Sequence, residues 1–300
     1  METLLFTGAS GFLGNNILPP LRKQYGKIIT LGRGKSNDII ADLATEVPNM
    51  SEKVDVVLHA AGKAHTVPHT EEEKQAFFEV NVNGTKNLCK ALELYGLPKS
   101  FIFISTVAVY GGSDGEIIDE SHALNGTTPY AKSKIIAEEY LTQWASRNNV
   151  TLTILRPSLL AGKNPPGNLK SMINGIKKGY YFNISPGTMT KSILMAEDIA
   201  YILPNVKNRG GVFNICDTAQ PTIKEISILI AHQLGRKKPL EIPYRLVNIL
   251  AKIGDFVGGW FPMNTYRLDK LTKSRIYLSD KAIRELNWKP MNVLENFKIR

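Results

Sequence analysis

The sequence predicts an α/β protein built on a doubly wound parallel sheet, with a smaller α/β region at its C-terminal end. Three observations carry this. Short β-type runs alternate with helical periodicity through the first half, two of those runs are apolar throughout, and a spaced-glycine motif directly follows the first run. Strand–helix alternation favours a parallel sheet covered on both faces.

Thr3–Thr7, Ile28–Leu31, Val54–His59, Phe101–Ser105 and Thr151–Leu155 read as strands, and Asn83–Tyr95 and Tyr130–Arg147 as helices. Val56–Leu58 and Phe101–Ile104 lack polar positions, as doubly covered strands require. The pattern loosens after Arg156. Residues 162–187 read as loop with one short helix, and Gly179–Thr190 as a connector. Met195–Val206 and Thr222–Leu234 read as helices, and Gly211–Cys216 as a strand. The expected division is a dinucleotide-binding unit over 1–156 and a smaller substrate-binding region over 157–300, some of whose strands return to the main sheet.

With 43% hydrophobic and 21% charged residues, the 300-residue chain is ordinary globular material. It shows no basic-then-apolar leader and no run of roughly 18 apolar residues. A cytoplasmic setting is therefore expected. Cys89 and Cys216 lie far apart and lack partners at metal spacing, so both read as reduced core thiols and no metal is expected. The net charge of +10 is uneven: residues 236–300 hold 14 Lys/Arg against 6 Asp/Glu. Such a segment fits an anionic ligand or surface, or simply a solvated basic face. A nucleotide diphosphate suits it better than nucleic acid, because no aromatic-interleaved basic motif accompanies the charge.

The glycine motif is Thr7-Gly8-Ala9-Ser10-Gly11-Phe12-Leu13-Gly14. Gly8 permits a tight turn, Gly11 lets backbone approach a pyrophosphate, and Gly14 allows close helix packing, which is the Rossmann-type arrangement. The following helix offers free N–H groups and a positive dipole end. Pro19 and Pro20 fall inside that helix. An interior proline costs about 3 kcal/mol, so a kink or an early end near Leu18 is expected. After the second strand comes Leu31-Gly32-Arg33-Gly34-Lys35, with no acid at the strand end. Arg33 and Lys35 favour the 2′-phosphate of NADP over the 2′-hydroxyl of NAD. Asp42 could accept from an adenine amino group or could serve a turn.

These motifs recur in the order found in a known family. TGASGFLG (7–14), Asp42-Leu43, His59-Ala60-Ala61-Gly62, Asn81-Val82-Asn83-Gly84-Thr85, Ser105-Thr106 before Val109-Tyr110-Gly111, Tyr130-Ala131-Lys132-Ser133-Lys134, Arg156-Pro157 and Leu286-Asn287-Trp288-Lys289-Pro290 together resemble the extended short-chain dehydrogenases/reductases, in particular the nucleotide-sugar epimerase/dehydratase branch. The resemblance spans roughly residues 1–290.

The resemblance implies that Tyr130 transfers the proton, Lys134 bonds the nicotinamide ribose, and Thr106 orients the reacting oxygen, with Ser105 as second choice. Four residues apart on a helix, Tyr130 and Lys134 share a face. A neighbouring ammonium is expected to lower the phenol's pKa from about 10. The cofactor contacts implied are Gly8, Ser10, Gly11, Phe12, Leu13, Gly14, Arg33, Asp42, Leu43, the His59–Gly62 backbone with Ala60 and Ala61, Asn81, Ser105, Tyr130, Lys134, Pro157 and Ser158. The His59 imidazole itself reads as a satisfied buried group, and Asn81 as a loop-ordering residue.

For the reaction, the resemblance works by elimination. Dehydratases of this branch carry an acid and a base directly after the Thr, where this chain has Val107 and Ala108; dual C3/C5 epimerases carry a thiol there. Hydride chemistry at C4 of a nucleotide sugar remains. Arg33 favours 4-ketoreductase with NADP(H); a 4-epimerase with retained NAD is the alternative, and a non-catalytic NAD(P)-sensing module a distant one. A steroid or flavonoid reductase fits only the fold. Pro166-Gly167-Asn168-Leu169 resembles a sugar-binding loop, so Asn168 could meet the diphosphate or base, or cap a helix. Lys191 lies where relatives place a phosphate contact. The family's tyrosine before Gly162 is Ala161 here. A homodimer through the helices at 83–95 and 130–147 is implied. Tyr244–Phe261 is apolar with scattered basic groups. Core or lid packing is the preferred reading of it, and an interfacial helix the alternative.

Overall fold

The computed structural model describes residues 2–112, 115–187, 189–257, 264–265, 268 and 274–299. The first half runs β1 (Thr3–Thr7), α1 (Phe12–Gln24), β2 (Lys27–Gly32), β3 (Ile39–Ile40), β4 (Val56–His59), α2 (Glu71–Phe78), α3 (Gly84–Tyr95), β5 (Ser100–Ile104), β6 (Ile117–Ile118) and α4 (Pro129–Asn148). Then come β7 (Thr151–Pro157), β8 (Leu159–Ala161), α5 (Gly167–Lys178), β9 (Phe182–Ser185), β10 (Ile193–Met195), α6 (Asp198–Val206), β11 (Gly211–Ile215), α7 (Ile223–Gln233), β12 (Leu240–Pro243), α8 (Tyr244–Val257), β13 (Ile276–Tyr277), α9 (Asp280–Leu286) and α10 (Val293–Asn296).

Seven strands form the main sheet in the order β11-β7-β5-β4-β1-β2-β3, and every pairing is parallel. Successive residues of a strand face opposite sides. Accordingly Leu4 and Phe6 join one core with Ile17, Leu21, Leu203 and Phe213, while Leu5 joins the other with Leu88, Leu92, Leu141 and Trp144. The sheet is thus doubly wound. Strand order reverses between β1 and β4, where a crevice opens at the carboxyl ends.

The structure corrects several expectations. Helix α1 does not end near Leu18; it runs to Gln24 with both prolines inside. Ile17 and Leu21, fully buried on the core that α6 completes, offset the proline penalty. The supposed connector 179–190 contains β9, which pairs with β12 across more than fifty residues. The helix expected from Met195 begins at Asp198, because Ile193–Met195 pair with β8 instead. Strand β11, a later strand of the kind expected to return to the main sheet, pairs with β7.

Helix α8 buries Val247, Ala251 and Gly254 against β9 and β12, but leaves Leu246, Ile249, Ile253 and Phe256 exposed. Packing among the described residues therefore accounts for one side of it only. Residues 258–261 of that segment lie outside the described residues. Among the described residues, no helix is long and apolar enough to cross a membrane.

Candidate active site

The crevice at the switch point is a cleft of about 390 Å³. Much of its lining comes from the ends of four strands and the starts of two helices. Gly8, Gly11, Phe12 and Leu13 follow β1, Ala60 and Gly62 follow β4, Ser105 and Thr106 follow β5, and Pro157 and Ser158 close β7. Tyr130 and Lys134 enter from α4.

Gly8 sits at φ +80°, and a Cβ there would lie 2.7 Å from the Ala61 nitrogen, so the turn admits no side chain. Gly14 stands behind it, pressed on the Ala9 backbone. A relay of hydrogen bonds fixes the loop facing this turn. Ala61 N donates to Thr7 Oγ1 (3.1 Å), which contacts His59 Nδ1 (2.7 Å); His59 Nε2 contacts Thr85 Oγ1 (2.9 Å), which donates to the Asn81 carbonyl (2.7 Å). Because Thr85 spends its proton on Asn81, it must accept from His59, which places the imidazole proton on Nε2. Burial, then the Lys134 charge, pushes His59 down to about 3, so the ring stays neutral. His59 is thus a structural spacer with both nitrogens engaged.

Asn81 is 1% exposed and lies outside the cleft lining. Its side chain accepts from Lys63 N (2.7 Å) and donates to the Lys63 carbonyl and to Ser133 Oγ (2.8 Å), tying the cleft wall to α4. It sits in a π-helical turn, Glu79–Asn83, ahead of α3.

Thr128 caps α4 by accepting from Ala131 N (3.1 Å), and Pro129 occupies the first turn, so Tyr130 is fixed at the helix start. Thr106 caps the 3₁₀ turn Val107–Tyr110 through Ala108 N (3.1 Å), and its hydroxyl is near enough to the Tyr130 phenol to favour the phenolate. Ser105 is turned away: its hydroxyl donates to buried Glu138. Of the two candidate hydroxyls, Thr106 is therefore the one directed at Tyr130.

The lowering of the Tyr130 pKa expected from Lys134 is not found. Burial pushes the phenol up to about 12, and the nearby Thr106 hydroxyl offsets only part of that. Burial also brings Lys134 down to about 8, against the opposing pull of Glu138. Lys134 Nζ donates to the Ile104 carbonyl (2.7 Å) and lies 4.2 Å from the Phe103 ring centroid. Spacing predicts a shared face, but not where the ammonium is spent.

Other expected residues lie elsewhere. Ser10 is exposed and outside the lining. Arg33 is 78% exposed and 3.9 Å from Asp42, beyond the cleft near the end of β2. Asp42 Oδ1 accepts from Ala44 N (3.0 Å), the turn role foreseen as its alternative. The Leu43 side chain is buried in the core and packs beside Gly84. Asn168 is exposed in the first turn of α5 and is not its cap, which is Pro166. The preceding Gly167 abuts His65, a cleft residue. Lys191 pairs through its backbone with Arg275, which lines the cleft with Tyr277. Sequence reasoning misses Arg275 and Tyr277, since no local motif marks them. Val107 and Ala108 line the cleft, so these positions carry no titratable side chain toward it.

A doubly wound sheet with a glycine turn, a strand-end Thr and a helical Tyr–Lys pair at one switch point defines the dinucleotide-binding short-chain oxidoreductase class. Residues 4–216 match the model of the NAD dependent epimerase/dehydratase family, and the chain belongs to that family. It is 29% identical over 296 residues to N-acetyl-alpha-D-glucosaminyl-diphospho-ditrans,octacis-undecaprenol 4-epimerase of Escherichia coli O157:H7, covering 90% of this chain and 85% of that one. It is 27% identical over 251 residues to GDP-6-deoxy-D-mannose reductase of Pseudomonas aeruginosa, covering 77% and 79%. The structure of RMD from Pseudomonas aeruginosa complexed with NADPH superposes with a TM-score of 0.75 at 21% identity, covering 99% and 96%.

Proposed function

We propose that the protein is an NADP(H)-dependent 4-ketoreductase acting on a sugar carried by a diphosphate. The observation that carries the reading is Tyr130 and Thr106 in one cleft with the glycine turn, next to the inert Val107 and Ala108. The residues fit a nicotinamide dinucleotide. Ser158 Oγ is buried in the cleft wall without a hydrogen-bond partner, a group that a carboxamide would satisfy, and Gly11 opens the α1 N-terminus toward a pyrophosphate. When bound, the nicotinamide supplies the hydride.

The chain's own residues handle the proton and the pose. At neutral pH a phenol raised to about 12 is protonated, the state needed to give a proton to a ketone oxygen. Thr106 steers that oxygen and the phenol together. Lys134 holds the α4 start to the end of β5 and lines the same cleft as Tyr130, where an ammonium would favour the phenolate as the proton leaves. Arg275 and Lys191 offer cations to the diphosphate at the rim. Arg33, exposed beyond β2, supports NADP over NAD.

The second reading is a 4-epimerase, favoured by the relative that acts on a sugar carried on undecaprenyl diphosphate. That relative also widens the carrier from nucleoside to polyprenyl. A homodimer across α3 and α4 belongs to the same reading, supported by exposed Leu94, Tyr95 and Ile136 on those helices. So does a cytoplasmic setting, supported by the buried unpaired thiols Cys89 and Cys216.

The test is NADPH consumption with UDP-linked 4-keto sugars, followed by nicotinamide absorbance. Consumption supports the reductase. Interconversion of UDP-hexoses without net redox change replaces it by the epimerase, and neither result with intact cofactor binding leaves a sensing module.

A further inference from the structure

Helix α8 carries two apolar faces. Val247, Ala251 and Gly254 form the inner one. Leu246, Ile249, Leu250, Ile253, Phe256 and Val257 recur at helical spacing on the outer one, exposed by 54%, 56%, 44%, 46%, 95% and 54%. An unbroken exposed stripe of this kind is not ordinary surface scatter. It runs the length of a 14-residue helix.

Among the described residues the charge around it is one-sided. Arg245 and Lys252, two turns apart, flank the stripe on one side, and both are exposed. Arg236, Lys237 and Lys238 are exposed on the chain that enters β12, which runs straight into α8. The acids nearby are engaged: Glu241 with Lys224 at 2.6 Å, and Asp255 with Thr265 N at 3.1 Å. Beyond α8 the chain continues to Arg275 and Tyr277 in the cleft.

We propose that the outer face of α8 docks on an anionic phospholipid bilayer. Ile249, Ile253 and Phe256 enter the acyl boundary while Arg245, Lys252 and the 236–238 cluster meet lipid phosphates. Apolar side chains in a row with cations beside them match a bilayer surface, which is apolar below and anionic above. A second copy of this chain would set like charges against each other. Docking would present the cleft to a diphosphate-linked sugar whose carrier is a membrane lipid; this extension rests on the function proposed above.

The experiment is co-sedimentation of the full chain with phosphatidylcholine vesicles and with phosphatidylcholine–phosphatidylglycerol vesicles. Binding to the anionic vesicles should exceed binding to the neutral ones by about tenfold and weaken with salt. The double variant Ile249→Glu/Phe256→Glu should lose it while keeping turnover of a soluble UDP-linked 4-keto sugar, and Arg245→Glu/Lys252→Glu should lose the salt dependence. Docking is overturned if the wild type stays in the supernatant with both vesicles, or if the double variant binds as well as the wild type. It is also overturned if sedimentation velocity shows a wild-type dimer that the double variant dissociates. Vesicle binding without turnover of any sugar diphosphate would sink the redox reading alone; turnover of the soluble sugar without vesicle binding would sink docking alone.

Discussion

Glu138 and Arg156 form a two-pronged buried ion pair, at 3.1 and 2.5 Å, one helical turn beyond Lys134. Arg156 also donates to Tyr110 Oη (2.8 Å), which donates to Asn214 Oδ1 (2.7 Å), and Ser105 donates to the same Glu138 carboxylate. One polar network therefore ties α4 to β5, β7 and β11 under the cleft. Such a pair adds little net stability over apolar packing, but breaking it strands a charge.

Glu138→Gln should accordingly destabilise the fold by about 3–5 kcal/mol in equilibrium denaturation. It also removes the charge that supports the Lys134 ammonium, so the limb of the kcat/KM profile due to Lys134 should move to lower pH. An unchanged pH profile in a folded variant would show that the pair is only structural.

Tyr130→Phe deletes the proton carried by the phenol and leaves the ring contact with Phe77, 6.2 Å between centroids, available. Turnover should fall by about 10²–10⁴-fold with NADPH affinity retained, measured by steady-state kinetics and cofactor fluorescence.

His59 gives a pH signature in stability. Its folded pKa of about 3 lies below the ordinary 6.5, so between those values the unfolded chain binds the extra proton. Its contribution to stability is therefore intact above about pH 6.5 and declines as pH falls toward 3. His59→Gln should be less stable than the wild type at neutrality, and the gap should narrow as the pH drops toward about 4 in denaturant titrations. A constant gap would contradict the neutral, doubly bonded ring.

Arg33→Ser tests cofactor choice. If the guanidinium meets a 2′-phosphate, KM for NADPH should rise about tenfold while that for NADH holds. Equal changes for both cofactors would remove Arg33 from the site.

Local pattern made much of this legible. The glycine turn, the apolar strands and the Tyr130–Lys134 spacing are short-range signals, and the sheet follows from their alternation. What escaped depends on distance. Proline propensity ends α1 on paper, but Ile17 and Leu21 find a core supplied largely by residues near 200. The β9–β12 pairing joins segments too short and too far apart to announce themselves. Arg275 reaches the cleft from a stretch that reads only as basic tail. The Tyr130 shift failed for another reason: spacing shows proximity, whereas burial decides the electrostatics.

Because β11 zips onto β7, and Asn214 on it receives the Tyr110 hydroxyl, severing the chain after Arg156 would not liberate a working nucleotide-binding half. The fragment would expose the backbone edge of an apolar strand, an invitation to intermolecular β-pairing. Gene fusions or split versions of this protein should accordingly keep residues up to Ile215 in one polypeptide.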